Sequence, residues 1–137
     1  MGKLDGRCLC GAVAYSCDAE PLFTVLCHCR DCQRQTGTAF SVVVGVPAAA
    51  FELRGKLATH VTVGEDHGRE VQRRFCPVCG SPVLTESAQL PDVVIVKGGT
   101  LDDPSWLVPQ LEVWGSSAQP WVEPVEGRPR VERGAGA

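Results

Sequence analysis

Nothing at the start of this sequence reads as an export signal. Met1 to Leu9 contains no apolar core and no cleavage-site pattern. No apolar run approaches the roughly 20 residues needed to cross a bilayer. Met1-Gly2 resembles the opening of a myristoylation signal, but the sixth residue is Gly6 rather than Ser or Thr, so the motif fails. There is no block of Lys and Arg, and the formal net charge is −3, so the electrostatic footprint of a nucleic-acid-binding protein is missing. Internal repeats and domain boundaries are missing too. The expectation is a single cytoplasmic domain with neither a membrane nor a nucleic acid as partner.

What remains is an ordinary globular composition with one anomaly. The 137 residues are 44% hydrophobic and 21% charged. A chain of this length buries roughly 68% of its unfolded surface, enough for a core that needs no staples. Helix formers do not dominate. Val, Thr, Gly and Pro are plentiful, which favours short strands and tight turns. The anomaly is eight cysteines. In a reducing compartment they do not become disulfides. Seven of them fall in C-x-C, C-x-C-x-x-C and C-x-x-C clusters, which is metal-ligand spacing.

The periodicity along the chain is mostly two. Strands are expected at 12–17, 22–26, 38–46, 51–53, 57–63, 71–75, 82–86, 93–97 and 111–114, with 93–97 the most apolar and central. Residues 30–36 have good helix propensity and Gly37 suits a C-cap, so one short helix is expected there. His60 on a strand and His67 on a hairpin tip read as solvated. Residues 3–7 read as a lead-in. Residues 1–126 form the expected domain, and 127–137, nearly devoid of apolar side chains, read as a disordered tail. The fold class is mainly β, a sandwich or tent of short strands with one short helix.

Cys76-Pro77-Val78-Cys79-Gly80 has the pattern of a zinc knuckle. Pro77 fixes φ, Gly80 permits a left-handed turn, and backbone N–H groups then point at the sulfurs. A knuckle supplies two ligands and needs two more, which the bare pair Cys8 and Cys10 provides. Four thiolates leave no open position, so this site reads as structural. Cys27, Cys29 and Cys32 remain, and three ligands with a vacancy is the catalytic arrangement. Spacing alone also permits the knuckle to join the triplet instead. Cys17 reads as a small buried hydrophobe, with a role as fourth ligand to the triplet the lesser alternative. In extended backbone His28 alternates away from Cys27 and Cys29, toward a pocket or solvent. Arg30 and Arg34, four apart, lie on one helical face where they can meet a carboxylate or remain solvated.

Taken together, Cys8-Leu9-Cys10-Gly11, Cys27 to Gly37 with Phe40, Phe75 to Pro82, Gly99 to Pro104 and Trp121 resemble the glutathione-dependent formaldehyde-activating family, whose domain is shared with centromere protein V. The resemblance spans about Gly6 to Val122. It implies a zinc-stapled β-tent fold and two zinc ions per chain. The structural ion would lie on Cys8, Cys10, Cys76 and Cys79. The catalytic ion would lie on Cys27, Cys29 and Cys32, the site open to partial occupancy. The implied activity is that of a carbon–sulfur lyase acting on the adduct of glutathione, or another small thiol, with an aldehyde. His28 is the candidate proton donor, and Arg30 and Arg34 are candidate substrate contacts. The alternative is a zinc- and thiol-binding module without turnover. A chromatin role like that of the centromere relative suits an acidic chain poorly.

Overall fold

Alternation of apolar and polar residues in runs of four to seven, broken by Gly and Pro, gives the chain its strands. A computed structural model describes residues 4–134. The strands are β1 (Leu4–Arg7), β2 (Ala14–Cys17), β3 (Phe23–Cys27), β4 (Ser41–Pro47), β5 (Phe51–Arg54), β6 (Ala58–Val63), β7 (Glu70–Phe75), β8 (Pro82–Ser87), β9 (Val93–Lys97) and β10 (Leu111–Val113). The α-helix is α1 (Arg30–Thr36), closed by Gly37 at φ 67 with its N–H on the Gln33 carbonyl at 2.8 Å. The mainly β class with one short helix is therefore as expected. No helix among the described residues is long and apolar enough to cross a membrane.

The strands form two sheets. The smaller has the order β1-β2-β5, and the larger β10-β3-β4-β9-β8-β7-β6, with β9 at its centre. All pairings are antiparallel except β10 with β3. One face of the large sheet presents Val44, Val46, Leu84, Val94 and Val96 to Leu4, Val13, Tyr15 and Cys17, and these form the core. Cys17 is fully buried there, which fits its reading as a small hydrophobe.

Strand β1 is absent from the sequence reading, because Leu-Asp-Gly-Arg has one apolar residue and a glycine. Pairing with β2, Leu4 opposite Cys17 and Gly6 opposite Tyr15, supplies what local propensity does not. Gly6 is required by space. A Cβ there would lie 2.3 Å from Tyr15 Oη and 2.6 Å from the Thr100 carbonyl oxygen. Gly6→Ala is therefore expected to lower stability by about 1–3 kcal/mol, read as a lower thermal midpoint. An unchanged midpoint would show that Tyr15 moves without penalty.

The larger departure is the C-terminal segment. Residues 127–134 do not behave as the expected disordered tail but lie along β10. Glu112 N–H donates to the Pro129 carbonyl and Val131 N–H to the Glu112 carbonyl, both at 2.9 Å. Arg133 stacks over Trp114 at 4.5 Å and pairs with Asp66 at 3.0 Å. Apolar content was the wrong measure here, since backbone pairing and arginines hold the segment. Asp66 lies in the β6–β7 loop, so this strap links the two ends of the large sheet. Residues 135–137 lie outside the described residues.

Candidate metal centres and the cleft beside them

The first cysteine cluster sits where the two sheets meet. Cys8 and Cys10 follow β1, and Cys76 and Cys79 follow β7. Two glycine turns bring them together: Gly11 at φ 81 and Gly80 at φ 79. Their four Sγ atoms all lie within 4.8 Å of one another. Cys8 Sγ is 3.7 Å from Cys10 Sγ, which is 3.8 Å from Cys76 Sγ. These are free thiols, and the spacing is far beyond a disulfide bond. A tetrahedron with metal–sulfur distances near 2.3 Å has edges of about 3.8 Å, so the donor set fits zinc. Backbone N–H groups of Val13 and Val78 point at the sulfurs of Cys8 and Cys76, at 3.3 and 3.4 Å. Hydrogen bonds from Ser81 hold the Cys79 thiol down at about 5, favouring the thiolate a metal needs. The knuckle thus meets Cys8 and Cys10, and not the triplet.

The second cluster is built at the junction of β3 and α1. Cys27 ends the strand and Cys29 caps the helix, its Sγ accepting from Cys32 N–H at 3.3 Å. Cys32 is one turn on. The three sulfurs also lie within 4.8 Å of one another. Hydrogen bonding from Cys27 and Cys29 holds the Cys32 thiol well below its usual value, and the charges of Lys97 and Arg73 add to this. The same competition pushes Cys27 up. Three sulfurs that cannot all be anionic without a counter-charge are a donor set suited to a divalent soft cation.

Two cations beside the triplet are invisible in the sequence pattern. Arg73 Nη1 lies 3.7 Å from Cys32 Sγ, while its Nε donates to Thr62 Oγ1 at 3.0 Å. Lys97 Nζ donates to Ser41 Oγ at 2.9 Å, and Ser41 is paired with Cys27 across the sheet. Both cations are less than a tenth exposed. Burial lowers the Lys97 ammonium from its usual value, against the pull of the Cys32 charge. For Arg73 burial works against the charge, but Cys32 more than offsets it. A polar-apolar alternation places β7 Arg and β9 Lys anywhere on a sheet face. Only the register puts them at the triplet.

One sequence expectation needs correction. His28 faces neither pocket nor solvent. It is fully buried, packs at 5.4 Å against the Phe40 ring, and its Nε2–H donates to Glu112 Oε1 at 2.6 Å. Alternation did turn it away from the sulfurs, but toward the interior of the fold. Of the two helix arginines, Arg34 is exposed and outside the lining of the cleft described below, one of the two outcomes its pattern allows, whereas Arg30 lines the cleft and hydrogen-bonds Gln33. Gln33 in turn donates to the His28 carbonyl at 2.6 Å and the Ser117 carbonyl at 2.9 Å, fixing the backbone between Cys27 and Cys29.

The triplet opens onto a cleft of about 840 Å³. Its floor is the second face of the large sheet, with Phe23, Val25, Val43, Ile95 and Leu111 beside Cys27, Arg73 and Lys97. Mutual register puts Leu111, Val25 and Val43 in one row that ends at Lys97.

A sequence model described as the glutathione-dependent formaldehyde-activating enzyme matches residues 3–117. A crystal structure of a Rhodobacter sphaeroides protein shares the fold, with a TM-score of 0.58 and 22% identity over 77% of this chain and 92% of that one. No curated protein matches the chain. The profile spans most of the sequence and includes both cysteine clusters, so the chain belongs to the glutathione-dependent formaldehyde-activating enzyme family.

Proposed function

We propose that the protein is a zinc-dependent carbon–sulfur lyase acting on the adduct of an aldehyde with glutathione or another small thiol. The observation that carries this reading is the three-cysteine site opening onto a cleft with two buried cations at its edge. Cys8, Cys10, Cys76 and Cys79 would hold a structural ion, and Cys27, Cys29 and Cys32 a second ion with a free position. Zinc at the triplet would supply the acidity that converts a substrate thiol to thiolate at neutral pH. The chain's own groups do the rest. In the adduct-forming direction the sulfur–carbon bond forms as the carbonyl π pair moves onto oxygen, and that oxygen then takes up the proton lost by the thiol. Lys97 and Arg73 are the groups placed to meet this charge, and the Lys97 ammonium has the proton to give. The lyase direction reverses each step. Buried His28 acts only through the backbone it anchors. A reducing cytoplasmic setting suits eight free thiols.

The test is thiol-dependent consumption of formaldehyde by the zinc-loaded protein. Cys29→Ala is expected to abolish turnover while costing only about 1 kcal/mol of stability, the worth of a helix cap. Lys97→Met is expected to lower kcat by about 10²-fold or more with a smaller effect on KM. Wild-type protein that accelerates nothing across a panel of thiols would leave a zinc- and thiol-binding module.

A further inference from the structure

The cleft is far too large, and too apolar, for the reacting atoms alone. We propose that the substrate of the triplet site is a thiol, or its aldehyde adduct, whose body is an uncharged alkyl or aryl group lying on the floor formed by Phe23, Val25, Val43, Ile95 and Leu111. The inference rests on the lyase reading for the sulfur end and goes beyond it for the rest of the molecule.

Three observations support this. First, the floor side chains are only half-buried and line the cleft in two adjacent rows, although most residues on the opposite face of the same strands are buried in the core. The Phe23 ring packs over Gly45, where a Cβ would come within 2.3 Å of it, so the ring fills the gap the glycine leaves in its row. Apolar area of this kind is recovered from water when a ligand body covers it. Second, the charges are sorted. The cations lining the cleft, Arg30, Arg73 and Lys97, adjoin the cysteines, with Asp31 4.0 Å from Arg73, while at the far rim Asp66 is already taken up by Arg133 and Glu65 adds a further acid. Such a site attracts a thiolate at the cysteine end and offers the rest of the ligand no cationic side chain on the floor. Third, glutathione is a poor match for that sorting. It carries two carboxylates and an ammonium, which the apolar floor would strip of water without giving partners.

The probes are benzyl mercaptan and glutathione, titrated calorimetrically into the zinc-loaded protein under reducing conditions. Benzyl mercaptan is expected to bind at least about tenfold more tightly, the worth of partly burying one ring. The double variant Val25→Thr, Val43→Thr keeps side-chain shape and strand propensity, and is expected to narrow the preference to less than about threefold. Glutathione binding as tightly as benzyl mercaptan would overturn the proposal and leave the lyase reading standing. Toluene, which has no sulfur, separates the two further. It is expected to shift amide resonances of β3, β4 and β9 with or without zinc. Unshifted resonances there would overturn the apolar subsite whatever the thiols do.

Discussion

Cys76→Ala is expected to yield a chain without a cooperative unfolding transition. Cys76 is fully buried within the core cluster, and its sulfur lies 3.8 Å from that of Cys10, 66 residues away. The four-sulfur site ties the turn after β1 to the turn after β7, so it joins the small sheet to the large one. Where no such site exists in the unfolded chain, metal affinity appears as folding free energy, on the order of 10 kcal/mol for a structural zinc. That matches the whole stability of a typical domain, about 5–15 kcal/mol. Bridging so long a segment also removes much chain entropy from the unfolded state. Circular dichroism melts, read beside zinc content, check this. The variant should lose both its sigmoidal melt and one zinc. A chelator should do the same to the wild type. A soluble Cys76→Ala protein with a near-normal melt would overturn the assignment of this cluster as structural.

Glu112→Ala is expected to cost about 3–5 kcal/mol, the penalty for leaving buried charge without its partner. Glu112 is fully buried and takes His28 at 2.6 Å, Arg128 at 2.8 Å and Arg130 at 2.9 Å. Removing the carboxylate strands two arginines and an imidazole whose Nδ1 already has no partner. The pH dependence has a definite sign. Burial alone would raise the carboxyl, but hydrogen bonds from His28, Arg128 and Arg130 more than offset it and hold it below the usual 4.5. A lowered folded value means the contribution is fully present above about pH 4.5 and is lost as pH falls through that lowered value. Thermal midpoints of wild type and Glu112→Gln should therefore differ at neutral pH and converge in acid. A constant difference across that range would show that Glu112 contributes through shape rather than charge.

The sequence made the two cysteine clusters legible and hid what surrounds them. C-x-C and C-x-x-C spacing is set by local backbone geometry, so it survives without knowledge of the fold. Strands with strong alternation, such as β9, were equally readable, and centrality followed from apolar content. Leu111-Glu112-Val113 shows the limit. The sequence reads it as a last strand and says nothing of which face Glu112 takes. In the structure Glu112 is the buried residue, and Leu111 faces the cleft. Hydropathy does not settle it, because the apolar side of this strand lines the cleft instead of the core. Arg73 and Lys97 escape the sequence for a related reason, since their place beside the triplet depends on the register of two strand pairings for Lys97 and four for Arg73, and not on any motif. Arg128 and Arg130 read as part of a disordered tail because their partner, Glu112, is brought to them only by the fold.

The strap has one more consequence, for how the molecule behaves among its own copies. A strand at the rim of a sheet offers a row of unpaired N–H and C=O groups that another chain can extend, which is a common route to aggregation. Strand β10 is three residues long and forms one rim of the large sheet. Pro129, Val131 and Arg133 occupy its outer backbone positions with hydrogen bonds of 2.8–3.0 Å. The chain thus caps its own growing edge with a segment too charged to recruit a neighbour. What looks in composition like a loose end serves as the stopper at this rim of the sheet, while β6 forms the other rim.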